Sequence, residues 1–179
     1  MKKLIPLVFA VCFLLVTTPV LAWNSYTHKS LWQAAIKDID LSSCDKSVIN
    51  KIINTAPVLP DRGGGKSNHN CYPTNCPAME KVKELILQAK KEKNFCQKMF
   101  ILGQASHYYT DSKNPAHQTL VSTSCHSRFE RGVDKYIKNN FNFPTAIKCI
   151  KPSVVLTFNE DNFESLVTGI KKDILSVVR

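Results

Sequence analysis

The chain has 179 residues, of which 44% are hydrophobic and 21% charged. That is enough for one domain around one core, and no repeat or long linker divides it. Its formal net charge of +10 suits anionic surfaces such as phospholipid or nucleic acid, although a plain soluble basic surface carries the same charge.

Residues 1–22 read as a secretory signal peptide. Lys2 and Lys3 form the charged end, residues 4–16 are almost continuously apolar, and Val20-Leu21-Ala22 supplies the cleavage positions. The apolar run is short for a membrane span, and no charged stop comes after it. Cys12 follows Val11, where a lipid-anchor cysteine wants a small residue. A cut after Ala22 leaves residues 23–179 as the mature domain, with Trp23 at its terminus and a secreted or periplasmic location. Loss of Lys2 and Lys3 lowers the charge by two and leaves the domain basic. Of seven cysteines, Cys12 falls in the leader. Cys44, Cys71, Cys76, Cys96, Cys125 and Cys149 remain, and an even set in an exported chain predicts disulfides. Spacing leaves the connectivity open; proximity alone suggests Cys71 with Cys76 and Cys125 with Cys149.

Helical patterns dominate the mature domain. Leu31, Ala34 and Ala35 give a helix over 27–39, and Val48, Ile49, Ile52 and Ile53 a second short apolar face. Pro57 and Pro60 stop it, and 61–77 reads as a loop rich in Gly, Asn and Pro. Residues 79–92 form an amphipathic helix whose lysines make a solvated face. Residues 95–111 are more apolar and predict the central helix. Pro115 breaks the chain, and a loop rich in Ser and Thr leads to a helix over 126–139 that Ser124 could cap. Asn159 or Asp161 could cap a last helix ending near Val178. Strand alternation is weak everywhere except 153–158. The expected fold is all-α, a single compact helical domain.

The chemistry sits in the histidines. All five are in play: His28, His69, His107, His117 and His126. Imidazoles and carboxylates are the usual nitrogen and oxygen ligands of zinc. His107 and Asp111 are four residues apart, as are His126 and Glu130, and on a helix that spacing puts both side chains on one face. Each pair taken alone also fits a surface ion pair or a satisfied core histidine. That reading must explain every histidine separately, whereas one metal site explains them together. Asp61 and His69 lie upstream, on a loop that also reads as merely solvated. Gly63-Gly64-Gly65-Lys66-Ser67 looks like the end of a phosphate-binding loop, but Pro60 stands where that motif needs glycine and no strand precedes it.

His107-x3-Asp111-x5-His117 followed by His126-x3-Glu130 resembles the bacterial zinc-dependent phospholipase C family. The resemblance runs in motif order from Trp23 to Glu130. It implies a helical fold holding three zinc ions, with the free amine and carbonyl of an N-terminal tryptophan among the ligands. By that likeness Asp61, His69, His107 and Asp111 would hold the first ion, and His117, His126 and Glu130 the second. Trp23 and His28 would hold the third, Asp111 bridging it to the first. A terminal amine titrates near pH 7.7 to 8, so a metal can displace its proton. Asp61 would serve as both ligand and proton acceptor in cleavage of the glycerol-side phosphodiester bond of phospholipids.

The same zinc arrangement is found in three-zinc single-strand nucleases, the alternative enzyme. Trp23-x4-His28 resembles the nucleases more, while Glu130 and the short gap from His117 to His126 resemble the lipases. A nuclease would want aromatic platforms for bases, for which Tyr72, Tyr108 and Tyr109 are available. Both families are longer than this chain, which implies reduced substrate-binding loops. The lipases' choline-recognising residues have no counterpart in 24–27 or at Arg62. A third alternative is a non-catalytic, zinc-stabilised module that binds membranes or partners. No protein partner is inferred.

Overall fold

The computed structural model describes residues 25–62, 68–142, 145–150 and 153–178. The signal-peptide expectation, Trp23 and the glycine run 63–67 lie outside them. The chain is mostly helical, in the order α1 (Ser25–Ile36), α2 (Lys46–Asn54), a 3-10 turn (Ala56–Val58), α3 (Leu59–Arg62), α4 (Pro77–Lys91), α5 (Phe95–Lys113), α6 (Pro115–Gln118) and α7 (Thr123–Lys138). A hairpin comes next, β1 (Thr145–Cys149) and β2 (Val154–Phe158), then α8 (Glu160–Gly169).

α5 is the axis, as its apolar composition predicts. It is buried along nearly its whole length from Met99 to Ser112, the pattern of a helix surrounded on all sides. Asn94 caps it, its side chain accepting from the Gln97 N–H at 2.9 Å. α4 lies along one flank, presenting Ala78, Val82, Leu85 and Ala89 and leaving its lysines outside. α1 and α2 close the other side through Leu31, Trp32 and Ile52, all fully buried. The Trp32 indole N–H donates to the Ile52 carbonyl at 2.9 Å. Gly103 permits this approach, because a Cβ there would stand 2.6 Å from that of Ala56 and 3.4 Å from the Trp32 ring.

The mostly helical architecture agrees with an all-α fold, with one small addition: β1 and β2 pair antiparallel, Thr145 with Phe158 through Cys149 with Val154. Alternation marks β2, whereas β1 has buried ends, exposed Ala146 and Lys148 and only a half-buried Ile147 between them, a pattern too short to read alone. Ser122 rather than Ser124 caps α7, accepting from the Cys125 N–H at 3.3 Å. Pro115 opens α6 instead of merely breaking the chain, since proline suits the first helical position. The stretch 61–77 is not all loop, because Asp61 and Arg62 end the one-turn α3. Asn159 caps α8 with a reciprocal bond from Asn162, but the helix widens to a π turn at Ile170–Ile174 and tightens to 3-10 at Leu175–Val177.

Between α7 and β1, Asn140 and Phe141 take left-handed backbone angles, φ 51° and 61°. Asparagine tolerates that region; a bulky phenylalanine does not readily. The Phe141 ring packs edge-on against Tyr136 at 5.3 Å and Phe163 at 5.0 Å, contacts that offset the strain. Three disulfides join Cys44 to Cys96, Cys71 to Cys76 and Cys125 to Cys149. They suggest an oxidising, extracellular type of environment. Among the described residues, no helix is long and apolar enough to cross a membrane.

Candidate metal centre

α5 contributes His107 and Asp111 one turn apart, and α7 contributes His126 and Glu130 at the same spacing. His28 comes from the first turn of α1, Asp61 from α3, His117 from α6 and His69 from the segment before α4. These eight residues converge into three groups: His28, His107 and Asp111; Asp61, His69 and His107; His117, His126 and Glu130. In each group the ligand atoms lie within 4.8 Å of one another, and each could hold a metal ion. Every expected ligand among the described residues is therefore brought to the centre.

Asp111 stands between the groups and is fully buried. Its Oδ2 lies 2.5 Å from His69 Nδ1 and 3.2 Å from His107 Nε2. Its Oδ1 faces His28 Nε2 at 3.4 Å and His117 Nε2 at 3.9 Å. His107 Nε2 is also 3.1 Å from His69 Nδ1 and 3.4 Å from Asp61 Oδ1. On the far side, Glu130 Oε1 is 2.6 Å from His126 Nε2 and 3.5 Å from His117 Nε2.

Surrounding hydrogen bonds fix which ring nitrogen carries the lone pair. His107 Nδ1 donates to the Pro57 carbonyl at 2.9 Å, which leaves Nε2 unprotonated in the neutral ring. The Thr110 hydroxyl donates to the His107 carbonyl at 2.8 Å, so its oxygen accepts from His28 Nδ1 at 2.9 Å. His28 Nε2 then points a lone pair at a carboxylate oxygen. His117 is arranged alike, with Nδ1 3.4 Å from Asn70 Oδ1. His28 Nε2, Asp111 Oδ1 and His117 Nε2 are buried and have no hydrogen-bond partner. Lone pairs that face one another without a proton between them are costly to bury. Cations held by the groups that contain them would satisfy these atoms, so the donor set fits metal ions.

Burial holds His28 well below the usual histidine range, reinforced by the charge of His107 and opposed by Asp111. It lowers His126 as well. Both rings are thus kept neutral, the form that ligates. Burial would raise Asp111, but His107, His117 and His28 outweigh it and hold that carboxyl well below its ordinary value. Glu130 goes the other way, pushed by burial to about 8. Burial also raises Asp61, against the pull of His107. The Asp61 side chain keeps 18% exposure, the largest of the carboxylates here, which leaves this group open to solvent on one side.

Several supporting residues escape a reading based on ligand types. Thr110 and Asn114 continue the inner face of α5 beyond His107; the Asn114 amide donates to Glu130 at 3.3 Å while its oxygen caps α6 through the Ala116 N–H at 2.9 Å. Asn-Pro was the available signal, since Asn before a helix-opening proline is a capping arrangement. Comparison with protein-family models, curated proteins and solved structures yields no match to this chain.

Proposed function

We propose that the protein is an exported, zinc-dependent phosphodiesterase that cleaves phospholipids on the glycerol side of the phosphate. The observation that carries this reading is Asp111, whose two oxygens serve separate histidine sets, while its buried Oδ1 and the buried Nε2 atoms of His28 and His117 lack partners. Nitrogen and oxygen donors without thiolate suit zinc. His107, His69, Asp61 and Asp111 would hold one ion, His117, His126 and Glu130 a second, and His28 with Asp111 and Trp23 a third. Zinc bound there would supply positive charge for a substrate phosphate and acidity for an attacking water. Asp61 is the proton acceptor in this reading: its carboxylate is the most solvent-open, and burial raises its proton affinity. His107, His28 and His117 hold position through Pro57, Thr110 and Asn70 respectively.

The lipid reading is supported over the nuclease reading by two of the three candidate tyrosines; Tyr72 is only half-buried. Tyr108 and Tyr109 are only 7% and 6% exposed, and the Tyr108 ring packs on His69 and His107, so neither offers a free face for a base. The test is product identity. Zinc-loaded protein incubated with mixed phospholipids should release diacylglycerol and phosphorylated headgroups and leave single-stranded DNA intact. Nucleotide release alone would make the nuclease reading correct. Absence of both products would leave a non-catalytic zinc module.

A further inference from the structure

The hairpin has two unlike faces. Thr145, Cys149, Leu156 and Phe158 are buried beneath it, while Ala146, Lys148, Val155 and Thr157 face outward. Lys148 pairs with Val155 and Ala146 with Thr157, so these four share one outer face. Just past β1, Ile150 is 85% exposed, and Val155 is 59% exposed. Leu120, 75% exposed, lies between His117 and His126. Among the described residues, three of the five exposed large hydrophobics therefore sit on the hairpin or the short connection that flanks it. The other two differ: Tyr26 is covered by Lys138 at 4.8 Å, and Leu87 stands alone on α4.

Chain connections link the segments that carry these side chains to the helices of the metal centre. The Cys125–Cys149 bond ties the end of β1 to α7 one residue before His126, with a Cα separation of 5.7 Å. α6, which carries His117 and leads to Leu120, packs against β2. The edge is also one-signed. Arg128 donates to the Lys148 carbonyl at 3.0 Å, which places both cations at the hairpin. Lys113 lines a cavity of about 340 Å³ that Thr157 of β2 also bounds. Residues 112–129, 145–150 and 153–159 include no aspartate or glutamate. Glu160 and Asp161 stand at the opposite end of β2 from Val154, away from Ile150.

We propose that Leu120, Ile150 and Val155, together with Arg128 and Lys148, form a docking edge with which the protein settles on an anionic phospholipid surface beside its metal centre. The aliphatic side chains enter the interface, and the cations meet lipid phosphates. This deepens the phosphodiesterase reading by naming the surface that supplies the substrate, yet docking itself needs no turnover.

The experiment is sedimentation of the zinc-loaded protein with vesicles, kept cold and brief enough that no product forms. Vesicles of phosphatidylcholine alone are compared with an equimolar mixture of phosphatidylcholine and phosphatidylglycerol. Binding should be tighter to the mixture and weaken with added salt. Ile150→Ser and Leu120→Ser should each weaken partition by about tenfold, the effect of removing one inserted aliphatic side chain. Leu87→Ser is the control and should bind as the unaltered protein does. Zinc content and any hydrolysis of a dispersed short-chain phospholipid should stay unchanged in all three variants. Failure of that soluble reaction in the unaltered protein would overturn the enzyme reading while leaving the docking result to stand. Equal partition of Ile150→Ser, Leu120→Ser and the unaltered protein would overturn the docking edge. So would self-association lost in these variants without any vesicle binding, which would assign the patch to a second copy of the chain.

Discussion

Asp134 caps α1 from another helix. Its Oδ1 accepts the backbone N–H of Thr27 at 3.2 Å and also the Thr27 hydroxyl. The first turn of α1 contains no acidic residue of its own, so this carboxylate from α7 supplies the negative charge that a helix N-terminus favours. Thr27 immediately precedes His28, and the bond therefore sets where the His28 ring enters the centre. Asp134→Ala should cost about 1 to 3 kcal/mol in denaturant unfolding, the range for losing a buried cap. In zinc titrations it should weaken the site containing His28 more than that of His117, His126 and Glu130. Asp134→Asn, which keeps the acceptor oxygen, should recover most of both. Equal weakening of all sites in Asp134→Ala would reduce Asp134 to a general stabiliser.

Metal content gives the next expectation. Protein cut after Ala22 should carry about three zinc ions per chain, read by elemental analysis after gentle purification. A form with one additional residue before Trp23 should retain the sites built on His107 and His117 and lose the one that needs a free amine, because a peptide nitrogen has its lone pair delocalised. Identical zinc content in both forms would leave Trp23 as a packing residue.

Asp111→Asn should remove more zinc than Glu130→Gln. The first change neutralises a carboxylate that faces four histidines, the second one that faces two. Both keep side-chain shape. Equal and mild losses would mean that Asp111 does not join neighbouring ions.

The metal-free protein should become less stable as pH rises from 6.5 to 8. The Glu130 carboxyl moves from an ordinary 4.5 up to about 8 on folding, so the folded state holds a proton that the unfolded state has released. Its contribution is fully present below 4.5 and is lost as pH rises through 8. His107, raised above its ordinary 6.5 by Asp111 against the effect of burial, changes in the same direction. His28 and His126 have lowered values, and their contribution is lost only as pH falls below 6.5. Glu130 alone accounts for up to about 2 kcal/mol across the window. Denaturant melts in chelator at several pH values should show the decline, and saturating zinc should abolish it. A rise in metal-free stability over that window would contradict the assignment.

The centre was more legible than the scaffold around it. Ligand chemistry concentrates in a few residue types, and the four-residue intervals of His107 with Asp111 and His126 with Glu130 carry over directly to helix faces. Asp61 and His69 gave no periodic signal, because Asp61 lies on the one-turn α3 and His69 on the segment before α4, neither on a long helix. The Cys44–Cys96 pairing spans 52 residues and obeyed no local rule. β1 was hidden because five residues with a middling interior position resemble a loop until β2 lies beside them. Asp134 was equally silent, since a buried acid on an amphipathic helix looks like surface until its distant partner Thr27 is known.

The disulfides also bear on the metal centre. Cys125 directly precedes His126, Cys71 follows His69 by two residues, and Cys96 lies in the first turn of the helix that carries His107 and Asp111. Oxidation thus ties together segments that carry the candidate ligands. A chain with its cysteines reduced would hold these ligand-bearing segments less firmly and compete less well for a metal ion. Reduced protein should accordingly bind zinc more weakly than oxidised protein in a competition titration, with re-oxidation restoring the affinity.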